Sequence, residues 1–476
     1  MTHASADRQH HNVTLAVLGV GALAFALAQT TVVPALTPMQ HAFGVGTSDI
    51  TWMVTAYFLS ASIFTPLLGK LGDMFGKERF LSIALAAFAL GSLVCALGNG
   101  LGLEIVGRVL QGVGGGVFPL SFGIVRDEFP REKIPTGIAL LGAIVGIGAA
   151  VGLPLGGLLV DQASYHWIFW MSAAMGVVAT ITTIKFVPES PVRTPGRLDV
   201  GGAAILAVGL SCVLIAVSRA NEWGWGAGRT LGLIAVGLVV LVAFVAFERR
   251  HSAPLINMKT LARPAVLTTD LATLLVGFGL FGTYVLIPQM AQLPKGHEIG
   301  LGLDAFQAGL LMAPGGLAML VVAPIVGQAG ERVGSKPPLL IGCVIAALGL
   351  VGLAELHGHV VEVILWGLVL NVGVSCAFAA LPNLIVNAVE PHETGEATGV
   401  NTIARNVGAS LGGQVAASII AGHAIAGGLP AESGFRIAFL MSAGVALAAG
   451  AFGLLIPASR PAGAAAPAAA TEPTRA

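Results

Sequence analysis

Glu104, Arg108 and Gln111 stand four before, at, and three after one position of an apolar stretch. A helix there places all three on one face. A guanidinium beside a carboxylate tunes the pH at which that acid releases its proton. This is chemistry for moving protons, not for breaking bonds. A charge at bilayer depth costs roughly 2.5–3.5 kcal/mol on insertion scales. Arg108 therefore either snorkels to an interface or sits in a polar cavity. Glu104, nearer the membrane edge, is either solvated or part of the same site. Asp270 is the other deep acid, about six residues or roughly 9 Å into another apolar run. Its plainer reading is a boundary acid near Arg263.

The elements that position these groups follow from composition. The chain has 476 residues, 55% hydrophobic and 10% charged, with a mean hydropathy of +0.86. A soluble domain carries about 25% charged residues, so this chain belongs in a bilayer. Spanning helices need roughly 20 apolar residues. Fourteen such runs fit, from 13–37 to 435–457, and no gap between them is long enough for a soluble domain. The first run reads as a retained span and not a signal peptide. The Ala/Pro-rich tail after Pro457 reads as disordered. Cys95, Cys212, Cys343 and Cys376 fall within apolar runs and read as small packing residues.

A pattern of Gly-x-x-Gly-acid-x-apolar-Gly occurs twice, in Gly69–Lys77 and in Gly327–Ser335. Asp73 and Glu331 hold the acidic position. Such an acid at a membrane boundary can face the positive N-terminus of a neighbouring helix; a tight turn with interfacial lysines is the plainer reading. Pro130-Arg131-Glu132 and Pro391-His392-Glu393 form a second matching pair, each followed by a Gly-rich stretch. The repeat divides the chain into a six-helix bundle at 1–190, an inserted helix pair at 191–263, a second six-helix bundle at 264–457 and a tail at 458–476. With a cytoplasmic N-terminus, the inside segments hold 18 of the 24 Lys and Arg residues, as the positive-inside rule requires. Both termini then lie in the cytoplasm.

Gly148, Gly152, Gly156 and Gly157, with Pro154 between them, allow close helix packing and a bend. Gly277–Gly282 matches a GxGxxG pattern, but it has no strand before it and no nucleotide site is expected. The segment Gly72–Lys77 falls one residue short of a P-loop and has no Ser or Thr after Lys77. No ATPase motor is expected. The histidines His3, His10 and His11 read as a polar terminus, and no metal site is expected. Trp223 and Trp225 read as interfacial anchors.

These residues resemble the major facilitator superfamily, and within it the 14-span drug:proton antiporters. Gly69–Arg79 resembles the first signature of that family. Arg108, Gln111 and Gly112 match its span-4 signature, and the span-5 glycines resemble its antiporter signature. Trp52, Tyr57 and Trp167-Ile168-Phe169 also look like the family. There are two departures. Leu153 stands where Pro is usual, with Pro154 following, and Ala28 stands where the family's span-1 acid would align.

The resemblance implies an all-α polytopic membrane protein: two six-helix bundles plus two helices, rocking about a midplane site. The boundary acids and the basic residues beside them are expected to form a conformational lock of Gly69, Gly72, Asp73, Gly76, Lys77, Asp127 and Glu331, with Asp73 near Gly395–Gly399 when the cavity faces outward and Lys77 paired with Asp127. Proton coupling falls to Arg108, Glu104 and Asp270. Gln29, Thr30, Gln111, Tyr284 and Asn371 line a cavity for a small amphipathic organic substrate. The expected function is proton-coupled export of such compounds, with a metabolite facilitator as the alternative and a non-transporting receptor or enzyme as a remote one. The expected partners are protons, lipid and substrate, with no nucleic acid. The expected protein is a monomer in the cell membrane, without catalytic residues or a cofactor beyond the proton gradient.

Overall fold

The computed structural model describes residues 2–45, 47–50, 52–190, 193, 199–251, 254–295, 299–390, 393–423 and 430–457. Within them, side chains are described except at 2–10, 37, 47, 48, 149, 150, 280–282, 284, 285, 305 and 331. The tail after Pro457 and the side chains of Tyr284 and Glu331 therefore lie outside the described residues.

The first half comprises α1 (Thr2–Thr30), α2 (Trp52–Phe75), α3 (Lys77–Leu97), α4 (Leu101–Glu128), α5 (Ile134–Gln162) and α6 (His166–Phe186). A 3₁₀ turn at Val113–Gly116 interrupts α4. The inserted pair is α7 (Val200–Trp223) and α8 (Gly228–Glu248). The second half comprises α9 (Pro264–Gln292), α10 (Ala313–Val333), α11 (Lys336–Glu355), α12 (Val360–Ala388), α13 (Thr394–Gly422) and α14 (Glu432–Leu455).

Twelve helical segments are long and apolar enough to cross a membrane among the described residues. The fourteen crossings expected from the sequence are not all reached by that measure. The two shortfalls, α9 and α13, are each 29 residues long and pack against one another. On α13, Glu396, Asn401, Arg405, Asn406 and Gln414 lower the hydropathy. On α9, the apolar stretch Pro264–Gly279 ends where the described side chains are interrupted, so its full length is not measured. A helix enclosed by protein can carry polar groups that lipid would not accept.

Glycines set the helix seams. A Cβ on Gly148 or Gly152 would strike α1 at Ala26 or Thr30, and one on Gly156 would strike Thr31 just past its end. In the second half, a Cβ on Gly408 or Gly412 would strike the α9 backbone at Leu274 or Phe278. The α1–α5 and α9–α13 pairs thus repeat one packing solution. Another face of α5 meets the second half, where Gly142 lies on the Phe378 carbonyl and Pro154 on Gly309.

The inserted pair does more than stand beside the bundles. Leu206 and Leu210 of α7 share an apolar cluster with Leu67 of α2 and Ile403 of α13. Thr55 Oγ1 lies 2.7 Å from Ser218 Oγ, and Asn221 Nδ2 donates to Gln414 Oε1 at 2.8 Å. Helix α7 therefore bridges the two halves. Only Thr230, Gly237, Phe244 and Glu248 are buried on α8, which presents Val236, Leu238, Val239 and Val242 outward.

Substituting a seam glycine tests this packing. Gly408→Val should lower the apparent unfolding temperature in detergent, since overpacking costs about 1–3 kcal/mol. Gly232→Val, where nothing lies within 4 Å, should leave it unchanged. Equal behaviour of the two variants would contradict the seam.

Candidate functional site

The repeated pattern is mostly helix and not the tight turn that its glycines allow. Gly69, Gly72 and Asp73 lie within the last turns of α2, and Lys77 opens α3. The chain breaks only at Gly76, whose φ is 121°, and at the matching Gly334, whose φ is 83°. Residues with a Cβ rarely adopt that conformation. One glycine at each break suffices to reverse the chain, so the helix continues through the rest of the motif.

Lys77 is fully buried between two acids, with Nζ 3.2 Å from Asp73 Oδ1 and 2.8 Å from Asp127 Oδ2. Its stem runs past Gly123, where a Cβ would stand 2.7 Å from Lys77 Cε. The Ser190 hydroxyl also donates to Asp127. The triad thus ties the ends of α2, α3 and α4 together.

The same ends meet the second half. A Cβ on Gly395 would stand 2.8 Å from Asp73 Oδ2 and 2.9 Å from the Gly69 carbonyl oxygen. Asp73 thus lies at the N-terminal end of α13, where the helix dipole favours an anion. Neither of its oxygens accepts a hydrogen bond there, so the interaction is one of proximity and charge. Lys70 pairs with Glu396 at 3.2 Å. Arg126 donates to Thr394 Oγ1 at 2.6 Å and to the Val389 carbonyl at 2.7 Å. The segment between α8 and α9 joins in. Arg263 pairs with Glu393 at 3.1 Å, and the Asn257 amide donates to Glu396. The two halves are therefore clasped on the face that carries the motif.

Sequence reasoning missed Arg126, Glu396 and Asn257 as clasp residues. Arg126 carried one signal, its place beside Asp127. Glu396 resembles any helix-start acid, and Asn257 any loop residue.

Deeper in the first half, Glu104, Arg108 and Gln111 are all buried. Arg108 donates to Gln111 Oε1 at 2.7 Å, to the Met53 carbonyl at 2.9 Å and to the Ala28 carbonyl at 3.2 Å. Its guanidinium carbon lies 4.2 Å from the Tyr57 ring centroid. It does not reach out to an interface. Ala28 contributes a carbonyl where the family's acid was expected. Gln111 passes the network on to Ser92 Oγ at 2.8 Å. Glu104 shares the helix face, yet among the described residues no ion pair joins it to Arg108, and both carboxylate oxygens accept no hydrogen bond. It is enclosed, not solvated.

In the second half, Asp270 is buried and accepts from Asn401 Nδ2 at 2.8 Å; Asn401 also donates to Thr273 Oγ1 at 2.7 Å. The second Asp270 oxygen accepts nothing. Asp270 thus belongs to the α9–α13 interface and is not a plain boundary acid. Asn401 gave no signal in the sequence beyond being polar.

The polar residues assigned to a cavity largely hold helices together. Thr30 Oγ1 donates to the Gly148 carbonyl at 2.9 Å, joining α1 to α5. Asn371 Nδ2 donates to the Gly367 carbonyl at 2.8 Å and packs under Gly315 of α10. Gln29 is buried near Tyr57, and Gly157 is buried on α5. Among the described residues, no group of three or more His, Cys, Asp or Glu side chains is placed to hold a metal.

Comparison with known proteins agrees with this architecture. The family model described as Major Facilitator Superfamily matches residues 18–413. Multidrug resistance protein Stp of Mycobacterium tuberculosis (strain CDC 1551 / Oshkosh) is 30% identical over 413 residues, covering 86% of this chain and 76% of that protein. The tetracenomycin C resistance and export protein of Streptomyces glaucescens is 28% identical over 424 residues, covering 88% and 78%. The crystal structure of the human organic anion transporter MFSD10 (TETRAN) is similar in fold, with a TM-score of 0.65 at 16% identity over 93% of this chain and 99% of that one. With an all-helical membrane fold and a family match over most of its length, the chain belongs to the Major Facilitator Superfamily.

Proposed function

We propose that this protein is a fourteen-span, proton-coupled antiporter that exports amphipathic organic compounds across the cell membrane, with both termini in the cytoplasm. The observation that carries the reading is the clasp. The two halves are held together on one face by the Lys70–Glu396 pair and by Arg126, and the residues that reach across are positioned by a triad buried within the first half. Ion pairs and hydrogen bonds across a seam can break as a set and re-form, which alternating access about a central site requires. The relatives named for multidrug resistance and for tetracenomycin C export support drug efflux. The distribution of Lys and Arg supports the orientation, which puts the clasp on the cytoplasmic side.

An ion gradient supplies the energy. Asp270 is the leading proton carrier, because it is buried in the α9–α13 interface with one unpartnered oxygen. Glu104 is the second candidate, enclosed in the first half with both oxygens unpartnered. Arg108 positions α4 against α1 and α2 through its carbonyl contacts.

Susceptibility profiling of deletion and overexpression strains against a broad compound panel tests the export reading. Overexpression should raise resistance to several structurally unrelated amphipathic compounds, and unchanged profiles would contradict it. Asp73→Asn should insert normally but transport about tenfold more slowly, a coupling of ordinary allosteric size; wild-type rates in vesicles would remove the clasp from the mechanism. Substrate-driven proton movement should vanish in Asp270→Asn vesicles and persist in Glu104→Gln. If both singles and the double variant still exchange protons for substrate, neither acid is the carrier.

A further inference from the structure

Arg405 lies eleven residues into α13, about 16 Å from its start at 1.5 Å per residue. That is near the middle of a hydrocarbon core roughly 30 Å thick. Only 5% of its surface is exposed. Its guanidinium carbon stands 5.4 Å from the ring centroid of Phe118 on α4 and 5.8 Å from that of Phe378 on α12. The rings come from opposite halves, so the charge sits where the two bundles meet.

The other buried arginine sets the contrast. Arg108 donates to two carbonyls and to Gln111. Among the described residues, Arg405 makes no hydrogen bond and no ion pair with any acid. Asp270 is engaged by Asn401, one turn earlier on the same helix. A guanidinium carries five donors in a planar fork. Aromatic faces attract its charge, but they do not accept hydrogen bonds as an oxyanion does. A buried charge lacking its counter-charge is costly unless something else supplies it. An oxyanion held in a bidentate manner is the partner that a guanidinium fits best.

We propose that Arg405 anchors an anionic group of the transported compound, with Phe118 and Phe378 gripping its aromatic body. The substrates are then amphipathic aromatic anions, with a carboxylate or a similar oxyanion at one end. The proposal rests on the transport reading above for its biological meaning, though the site itself is a binding site. Because its walls belong to different halves, an occupant would bear directly on how the halves move apart.

The test uses the full chain in lipid nanodiscs, with pyrenecarboxylate and pyrenemethylamine as probes. The two share a ring and differ in charge, and empty nanodiscs correct for partition into lipid. The wild type should bind the carboxylate about tenfold or more tighter than the amine, as expected for a charge-assisted hydrogen bond. Arg405→Gln should abolish that preference, and Arg405→Lys should keep part of it. Phe118→Leu should weaken both probes alike. Equal binding of the probes by the wild type, tighter binding of the amine, or no binding of the carboxylate overturns the proposal, and none of these needs a folded variant. So does a monodisperse Arg405→Gln protein that keeps the preference. Flux in vesicles separates the two readings. Charge-selective, Arg405-dependent binding without flux leaves the anion site standing and removes transport. Flux that ignores charge and Arg405 leaves transport standing and removes the anion site.

Discussion

A lysine with no exposed surface must be answered by acids, and the answer that Lys77 receives organises the motif face. Asp73 and Asp127 flank its ammonium at 3.2 and 2.8 Å. Removal of both acids would leave the buried ammonium unanswered, which is far costlier than an ion pair is worth. The three residues end α2, begin α3 and end α4. The triad therefore fixes the position of the α2 terminus, and that terminus carries Gly69, Lys70 and Asp73 to the start of α13. Contact between the halves on this face depends on an ion cluster lying within one half.

Glycine makes those contacts close. Its missing Cβ brings α5 onto α1 and α13 onto α9, and lets the Gly395 backbone meet α2. In an apolar medium, helix association relies on such packing because lipid competes for apolar surface. Polar groups are then freed from the lipid face and gathered on α13, whose glycines pack on α9 and whose Glu396, Asn401 and Arg405 face protein. The inserted α7 covers the α2–α13 side with Ser218, Asn221 and two leucines. Any motion of the halves must therefore carry α7 along or slide past it.

Much of this was legible in the residues. Length and hydropathy led to an all-helical membrane bundle, because a bilayer leaves few alternatives. The Lys77–Asp127 contact followed from the pairing of boundary acids with the basic residues of the motif. The motif's shape did not. A glycine-rich run reads as a loop, whereas within the two copies of the motif only Gly76 and Gly334 take positive φ. Thr30, Gln111 and Asn371 looked like cavity residues because a polar side chain in an apolar run carries no label for its partner. Each turned out to bond a neighbouring helix or its own backbone. Arg405 was visible only as a charge within a span. Its lack of a partner is a property of the packed structure, which no spacing rule encodes.

A clasp on the motif face should close and open as a unit. Distances between spin labels placed at Arg131 and Arg332, both exposed on this face and in different halves, test it most directly. The labels are read by pulsed electron resonance in a functional variant without the native cysteines. Two populations are expected: a short one matching the closed structure, and a longer one that grows when Asp73 or Lys70 is neutralised. A single distance, unchanged by those substitutions in protein that still transports, would contradict it.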